Sequence, residues 1–244
     1  MARSAAKIRL FIDGDLAAGA SVALDRDQAR YLFSVMRQSV GGEVLVFNGR
    51  DGEWRAVVTA AGKKDGALVA EEQTKPQTNP PDLWLLFAPI KKVRTDFIVE
   101  KAAEMGVRRI KPVFTRFTNS ERVNVNRMEA HSVEAAEQCG LVSVPTMDAL
   151  VRLDEALGDW PANRKLMFCD ETADHGAAQA ALSAAGDGPW AILIGPEGGF
   201  AEDEVARLRA APFATPVSLG PRILRADTAA VAALTMWQAT LGDW

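Results

Sequence analysis

The run Leu83-Trp-Leu-Leu-Phe87 is apolar at every position. A strand with one wet face alternates polar and apolar residues, so an unbroken run suits a strand covered on both faces. Helices provide that cover, and helices set between strands make the strands parallel. The rest of the chain supplies both elements. A helix is expected from about Thr95, as N-cap, to Gly106 at C′, with Phe97, Ile98, Ala102 and Met105 inward. Further strands are expected at 110–114, 165–169, 190–194 and 215–219. Further helices are expected at 126–139, 202–210 and 228–241. Pro112 points to an edge strand or a strand start. The fold class is α/β with a mainly parallel sheet.

The residues before 83 have another rhythm. Short β-rich runs at 8–12, 21–24, 43–47, 54–58 and 67–70 are separated by turn pairs such as Gly41-Gly42, Asn48-Gly49, Asp51-Gly52 and Asp65-Gly66. One helical stretch, 26–40, interrupts them, with Asp25 as N-cap and Ala29, Leu32, Phe33 and Met36 at helical spacing. That pattern suits a small β-barrel or sandwich. Residues 71–82 carry three prolines and no apolar period, which suits a linker.

Composition excludes several classes. Two cysteines, Cys139 and Cys169, lie far apart, and the chain has two histidines, His131 and His175. No disulfide framework and no metal centre is expected, and a reducing, cytoplasmic setting fits. Cys139 is expected in the core and His131 and His175 on surfaces or helices. No run approaches the ~18 apolar residues of a membrane span, and no apolar signal core follows the first residues. The net charge is −4, yet residues 89–122 hold nine Lys/Arg against four acids. A basic strip on an acidic chain can meet phosphates, although a solvated face would look the same.

Two glycine–proline turns carry the chemistry. Ile194-Gly-Pro-Glu-Gly-Gly-Phe200 and Leu219-Gly-Pro-Arg-Ile-Leu-Arg225 each follow an apolar run and lead into a helical pattern. Ligands of open α/β sheets bind beyond the carboxyl ends of strands. Gly195, Gly198, Gly199 and Gly220 let the backbone approach a ligand, Pro196 and Pro221 stiffen the turns, and Ile194, Leu219, Ile223 and Leu224 offer apolar walls. No Lys-Ser/Thr follows the glycines and no GxGxxG is present, so neither a Walker loop nor a dinucleotide fold fits. Met236 and Trp237 are expected in the core or a dimer contact.

The two turns together resemble the signature of the SPOUT (trefoil-knot) RNA methyltransferases, and within them the enzymes that methylate N3 of a uridine in small-subunit ribosomal RNA. Phe97-Ile-Val-Glu-Lys-Ala-Ala-Glu-Met-Gly106, Ala135-Ala-Glu-Gln-Cys-Gly140, Leu32-Phe-Ser-Val-Met-Arg37 and Phe47-Asn-Gly49 are similar to other parts of that family. The chain departs from it at Arg30-Tyr31, where a His pair is common, and at Leu141 and Phe117, where arginines are common. Arg116 stands beside Phe117, and Asp227 replaces a common Glu.

The resemblance implies a PUA-like RNA-binding β-barrel at 1–74, a linker at 75–82, and a SPOUT methyltransferase domain at 83–244 with a C-terminal trefoil knot. It implies S-adenosylmethionine as cofactor, 16S ribosomal RNA in the small subunit as substrate, and a homodimer. The cofactor would be held by Ile194, Gly195, Pro196, Glu197, Gly198, Gly199, Leu219, Gly220, Ile223, Leu224 and Arg225. Arg222 and Arg225 are candidates for stabilising the uridinate oxygens or holding the nucleotide phosphate, Glu197 for shaping the loop or serving as base, and Asp227 for orienting an arginine. Lys7, Arg9, Arg30, Arg37, Lys91, Lys92, Arg94 and Arg116 are candidates for phosphate contact. A different target nucleotide, or a non-catalytic ribosome-assembly protein with the same fold, stays open at this point.

Overall fold

A computed structural model describes residues 8–119, 122–173 and 178–244. Lys7 and His175 lie outside the described residues. The chain divides into two compact units, 1–79 with 136–144, and 80–135 with 145–244.

In the first unit, β1 (Arg9–Phe11), β2 (Ser21–Leu24), β3 (Glu43–Phe47), β4 (Glu53–Ala61) and β5 (Gly66–Lys75) form one sheet. Their order is β1-β3-β4-β5-β2. Only the β1–β3 pair is parallel. The period-2 pattern puts Val22 and Leu24, Val44 and Val46, and Leu68 and Ala70 into one core with Leu10 and Leu32. β5 runs through residues 71–75, whose exposed polar side chains hide a strand from an apolar-pattern reading; Glu72, Gln73 and Lys75 pair with β4.

Asp25 caps α1 (Arg26–Ala29). Its Oδ1 accepts from the Asp27 and Gln28 N–H groups, and its own N–H donates to Gln28 Oε1. The helix does not reach residue 40. It widens into a π-helical turn over Arg30–Val35, and Arg37 then takes φ +55°. That left-handed residue ends the helix and turns Met36 outward, so Met36 is exposed rather than inward.

The second unit is built on β6 (Leu83–Phe87), β7 (Arg109–Phe114), β8 (Thr146–Met147), β9 (Val151–Arg152), β10 (Lys165–Cys169), β11 (Trp190–Ile194) and β12 (Ala214–Val217). The order is β12-β10-β11-β6-β7-β8, with β9 also on β7, and every pair is parallel. Leu83, Leu85, Leu86 and Phe87 are fully buried, as a doubly covered strand requires. Pro112 is neither at an edge nor at a strand start. It pairs with Phe87 on one side, and on the other it falls in the gap between β8 and β9, where no ladder hydrogen bond is needed from its missing N–H.

The helices are α2 (Lys92–Glu104), α3 (Val125–Cys139), α4 (Leu153–Gly158), α5 (Ala178–Ala185), α6 (Glu202–Ala210) and α7 (Ala226–Leu241). The last turn of α3 belongs to the first unit. α2 starts three residues before Thr95. The Thr95 hydroxyl instead exchanges hydrogen bonds with the Ile90 backbone, both 3.1 Å. Ile98, Val99, Ala102 and Ala103 form the buried face, while Phe97 is exposed. Gly106 has φ +74° just past the helix, as a C′ residue does. Trp237 is buried within the second-unit core, and Cys139, expected inside, is exposed.

Candidate functional site

The carboxyl ends of β10 and β11, the loop after β12, and α6 enclose one cavity of about 420 Å³ within the second unit. Its apolar walls include Phe168, Ile194, Phe200, Val205, Val217 and Leu219. Phe200 is seated edge-on against Phe168, with ring centroids 5.2 Å apart. That seat explains Gly195: a Cβ there would lie 2.7 Å from Phe200 Cε2. Gly199 takes φ +70° and returns its N–H to the Pro196 carbonyl at 2.9 Å, so the first loop turns back before α6.

The cavity brings together Ile194, Gly195, Pro196, Gly199, Leu219, Gly220, Arg222, Ile223 and Leu224. Two loops whose glycine–proline pairs, Gly195-Pro196 and Gly220-Pro221, are well separated in sequence thus face one space. Glu197, Gly198 and Arg225 stand outside its wall. Gly198 abuts Phe117, at 3.3 Å from an added Cβ to Phe117 Cβ. Arg225 is the N-cap residue of α7, and its side chain is exposed. Neither the Arg222 nor the Arg225 guanidinium has a hydrogen bond or ion pair among the described residues.

Glu197 is engaged elsewhere. Its carboxylate accepts from Arg94 Nη1, and Arg94 Nε lies 3.7 Å from Asp227 Oδ2. Asp227 therefore orients Arg94 rather than Arg222 or Arg225, and the Glu197 carboxylate is already bound as a salt-bridge acceptor.

The other cation candidates divide. Arg9 is turned inward: its Nε meets buried Glu53 at 2.7 Å, and its remaining donors serve the carbonyls of Ala136, Glu137 and Leu141. Stacking on Phe47 at 4.5 Å completes its enclosure, so Arg9 is removed from the phosphate-contact set. Arg30, Arg37, Lys91 and Lys92 are exposed. Arg116 is exposed and pairs with Asp203 at 3.0 Å. His131 lies on α3 with Nδ1 2.9 Å from Glu100. Among the described residues no group of three His, Cys, Asp or Glu side chains could hold a metal.

Sequence reasoning missed the end of β10. Asp170 accepts from the Thr172 N–H (2.9 Å) and hydroxyl (2.7 Å), and from Arg209 Nε (2.8 Å). Burial alone would raise the Asp170 carboxyl; these hydrogen bonds and the Arg209 charge outweigh it and hold it below the usual carboxylate value. Burial pushes the Cys169 thiol up to about 12, so it stays protonated at neutral pH. Asp170, Glu171, Thr172, Glu202 and Arg209 give the cavity a polar side. The signal available was the strand-end rule applied to 165–169; Arg209 gave none, because its partner is 39 residues away.

Residues 77–238 match the family described as an RNA methyltransferase domain, and residues 24–71 match an RNA methyltransferase PUA domain. The chain belongs to the RNA methyltransferase family. Relatives match over almost the whole length. A ribosomal RNA small subunit methyltransferase E of Rickettsia conorii is 29% identical over 93% of each chain. Among solved structures, a putative methyltransferase from Legionella pneumophila in complex with the cofactor SAM has a TM-score of 0.85 at 27% identity. It covers 97% of this chain and 99% of its own. The ribosomal RNA small subunit methyltransferase E of Neisseria gonorrhoeae, bound to S-adenosyl methionine, has a TM-score of 0.84 at 25% identity over the same shares.

Proposed function

We propose that this protein is an S-adenosylmethionine-dependent methyltransferase that modifies N3 of a uridine in 16S ribosomal RNA. One observation carries the proposal: both glycine–proline loops line a single cavity with an unpaired arginine at its edge. The residues present suit the cofactor. The volume falls in the range of small-molecule sites, roughly 300–1,000 Å³. Apolar side chains and bare glycine backbone suit an adenine, and charged groups at Glu171, Glu202 and Arg222 suit the zwitterionic remainder.

When bound, the cofactor supplies an electrophilic methyl on a sulfonium. The protein must bring uracil N3 into line with it and help N3 give up its proton. Arg222 and Arg225, as cations carried on the second loop, stabilise charge that develops on the uracil oxygens, so that solvent can take the proton. Gly195 and Gly199 shape the donor loop, and Lys91, Lys92, Arg30 and Arg37 hold phosphates. The sites stand with a cytoplasmic homodimer and a knotted C-terminal segment in the same proposal. Val93 and Ile223, large apolar side chains 79% and 84% exposed, support the dimer as surface that one chain leaves bare.

The test is methyl transfer to 16S ribosomal RNA and to assembled small subunits, read by nucleoside mass spectrometry. N3-methyluridine is the expected product. Methylation of another nucleotide would overturn the target, and failure to bind S-adenosylmethionine at millimolar concentration would overturn the enzyme. Sedimentation velocity checks the dimer, which a monomer at micromolar concentration would exclude.

A further inference from the structure

α2 opens against its own electrostatics. Lys91 is its N-cap residue, Lys92 and Arg94 stand in its first turn, and no acid accompanies them there. A cation at the positive end of a helix is unfavourable. Helix stability therefore does not explain them. Lys91 and Lys92 are solvated, but Arg94 is half-buried and bound on two sides. One partner, Glu197, sits in the first cavity loop. The other, Asp227, sits in the first turn of α7, two residues beyond Arg225. Among the described residues, Arg94 is the ionic link between the loop that shapes the donor side of the cavity and the segment that presents Arg222 and Arg225.

We propose that Arg94 is a positioning residue that fixes the spacing of these two loops, rather than a contact for RNA phosphate. The assignment rests on the methyltransferase reading above. In-line transfer needs the acceptor nitrogen and the methyl carbon on one axis. A displacement of about 1 Å can cost on the order of a hundredfold in rate. Glu197 holds the first loop through its carboxylate, so its part is that of an anchor and not of a base.

The experiment compares wild type, Arg94→Ala, Arg94→Lys, Glu197→Gln and Arg94→Ala/Glu197→Gln. It measures single-turnover methyl transfer, KM for RNA and Kd for S-adenosylmethionine. Arg94→Ala should lower kcat about 10–100-fold, with KM and Kd within about twofold, and Arg94→Lys should recover part of the loss. Glu197→Gln should fall as far and keep the wild-type pH profile. The double variant should be no slower than either single one, because both remove the same link.

A raised KM with unchanged kcat and a shallower salt dependence would make Arg94 a phosphate ligand and overturn the proposal. So would loss of the rising pH limb in Glu197→Gln, or multiplicative losses in the double variant. An Arg94→Ala protein that fails to fold would leave Glu197→Gln, exposed at its carboxylate, to decide by kcat and pH profile. Absence of transfer by the wild type would instead sink the methyltransferase reading.

Discussion

Arg9 shows how one residue changes meaning once its neighbours are known. An arginine near the start of an RNA-binding unit invites a phosphate role, but this one neutralises Glu53, whose side chain is 2% exposed. Removing Arg9 leaves a buried carboxylate with Lys75 at 3.4 Å as its remaining cation. Arg9→Ala should therefore cost about 3 kcal/mol in urea unfolding. The same pair gives an acid dependence. Burial works to raise Glu53, yet the hydrogen bonds from Arg9 and Thr74 and the two cations bring it below its ordinary 4.5. A carboxyl with a depressed folded value takes up its proton more readily when unfolded. Its stabilisation is complete above 4.5 and is lost as pH falls through the depressed value. The stability gap between wild type and Glu53→Gln should thus be wide at pH 7 and narrow near pH 3. Arg37 invites a second substitution. A non-glycine residue at φ +55° carries a backbone cost, so Arg37→Gly should stabilise by about 0.5 kcal/mol while weakening RNA binding.

At the scale of elements, the end of β10 is the informative case. Asp170, Thr172 and Arg209 hold one wall of the cavity through hydrogen bonds between the strand end and α6. Arg209→Ala should leave Asp170 buried with Thr172 alone. We expect it to cost about 2 kcal/mol of stability and to weaken S-adenosylmethionine binding about tenfold, measured by calorimetry. The strands of the parallel sheet and the two loops were legible because unbroken apolar runs and glycine–proline pairs are local signals. The Asp170–Arg209 wall and the Arg94 link were not, because each joins side chains from distant segments and leaves no period or spacing. The start of α2 was misread for a related reason. Thr95 is a good N-cap by type, but its hydroxyl is taken by the Ile90 backbone, and three residues of helix precede it. The missed half of β5 is the converse: its polar residues are in strand because β4 offers hydrogen bonds, not because they bury anything.

For the whole molecule the question is how a chain of net charge −4 holds a polyanion. The answer lies in distribution, since local cations release counterions whatever the total charge. Arg9 and Arg94 have their charge paired with carboxylates of the protein itself, whereas Lys91 and Lys92 are exposed. Only solvated cations that meet phosphates contribute to salt dependence. Each such contact to single-stranded RNA adds roughly 0.7 to the slope of log affinity against log salt. Lys91→Ala and Lys92→Ala should each flatten that slope by about this amount and weaken binding to all RNA sequences alike. Arg94→Ala should leave the slope as it is, since its charge is held by Glu197 and Asp227. Fluorescence anisotropy of a labelled RNA across a salt series measures all three. A slope unchanged in both lysine variants would move the RNA path away from α2. A flattened slope in Arg94→Ala would show that RNA, and not the loops, claims that arginine.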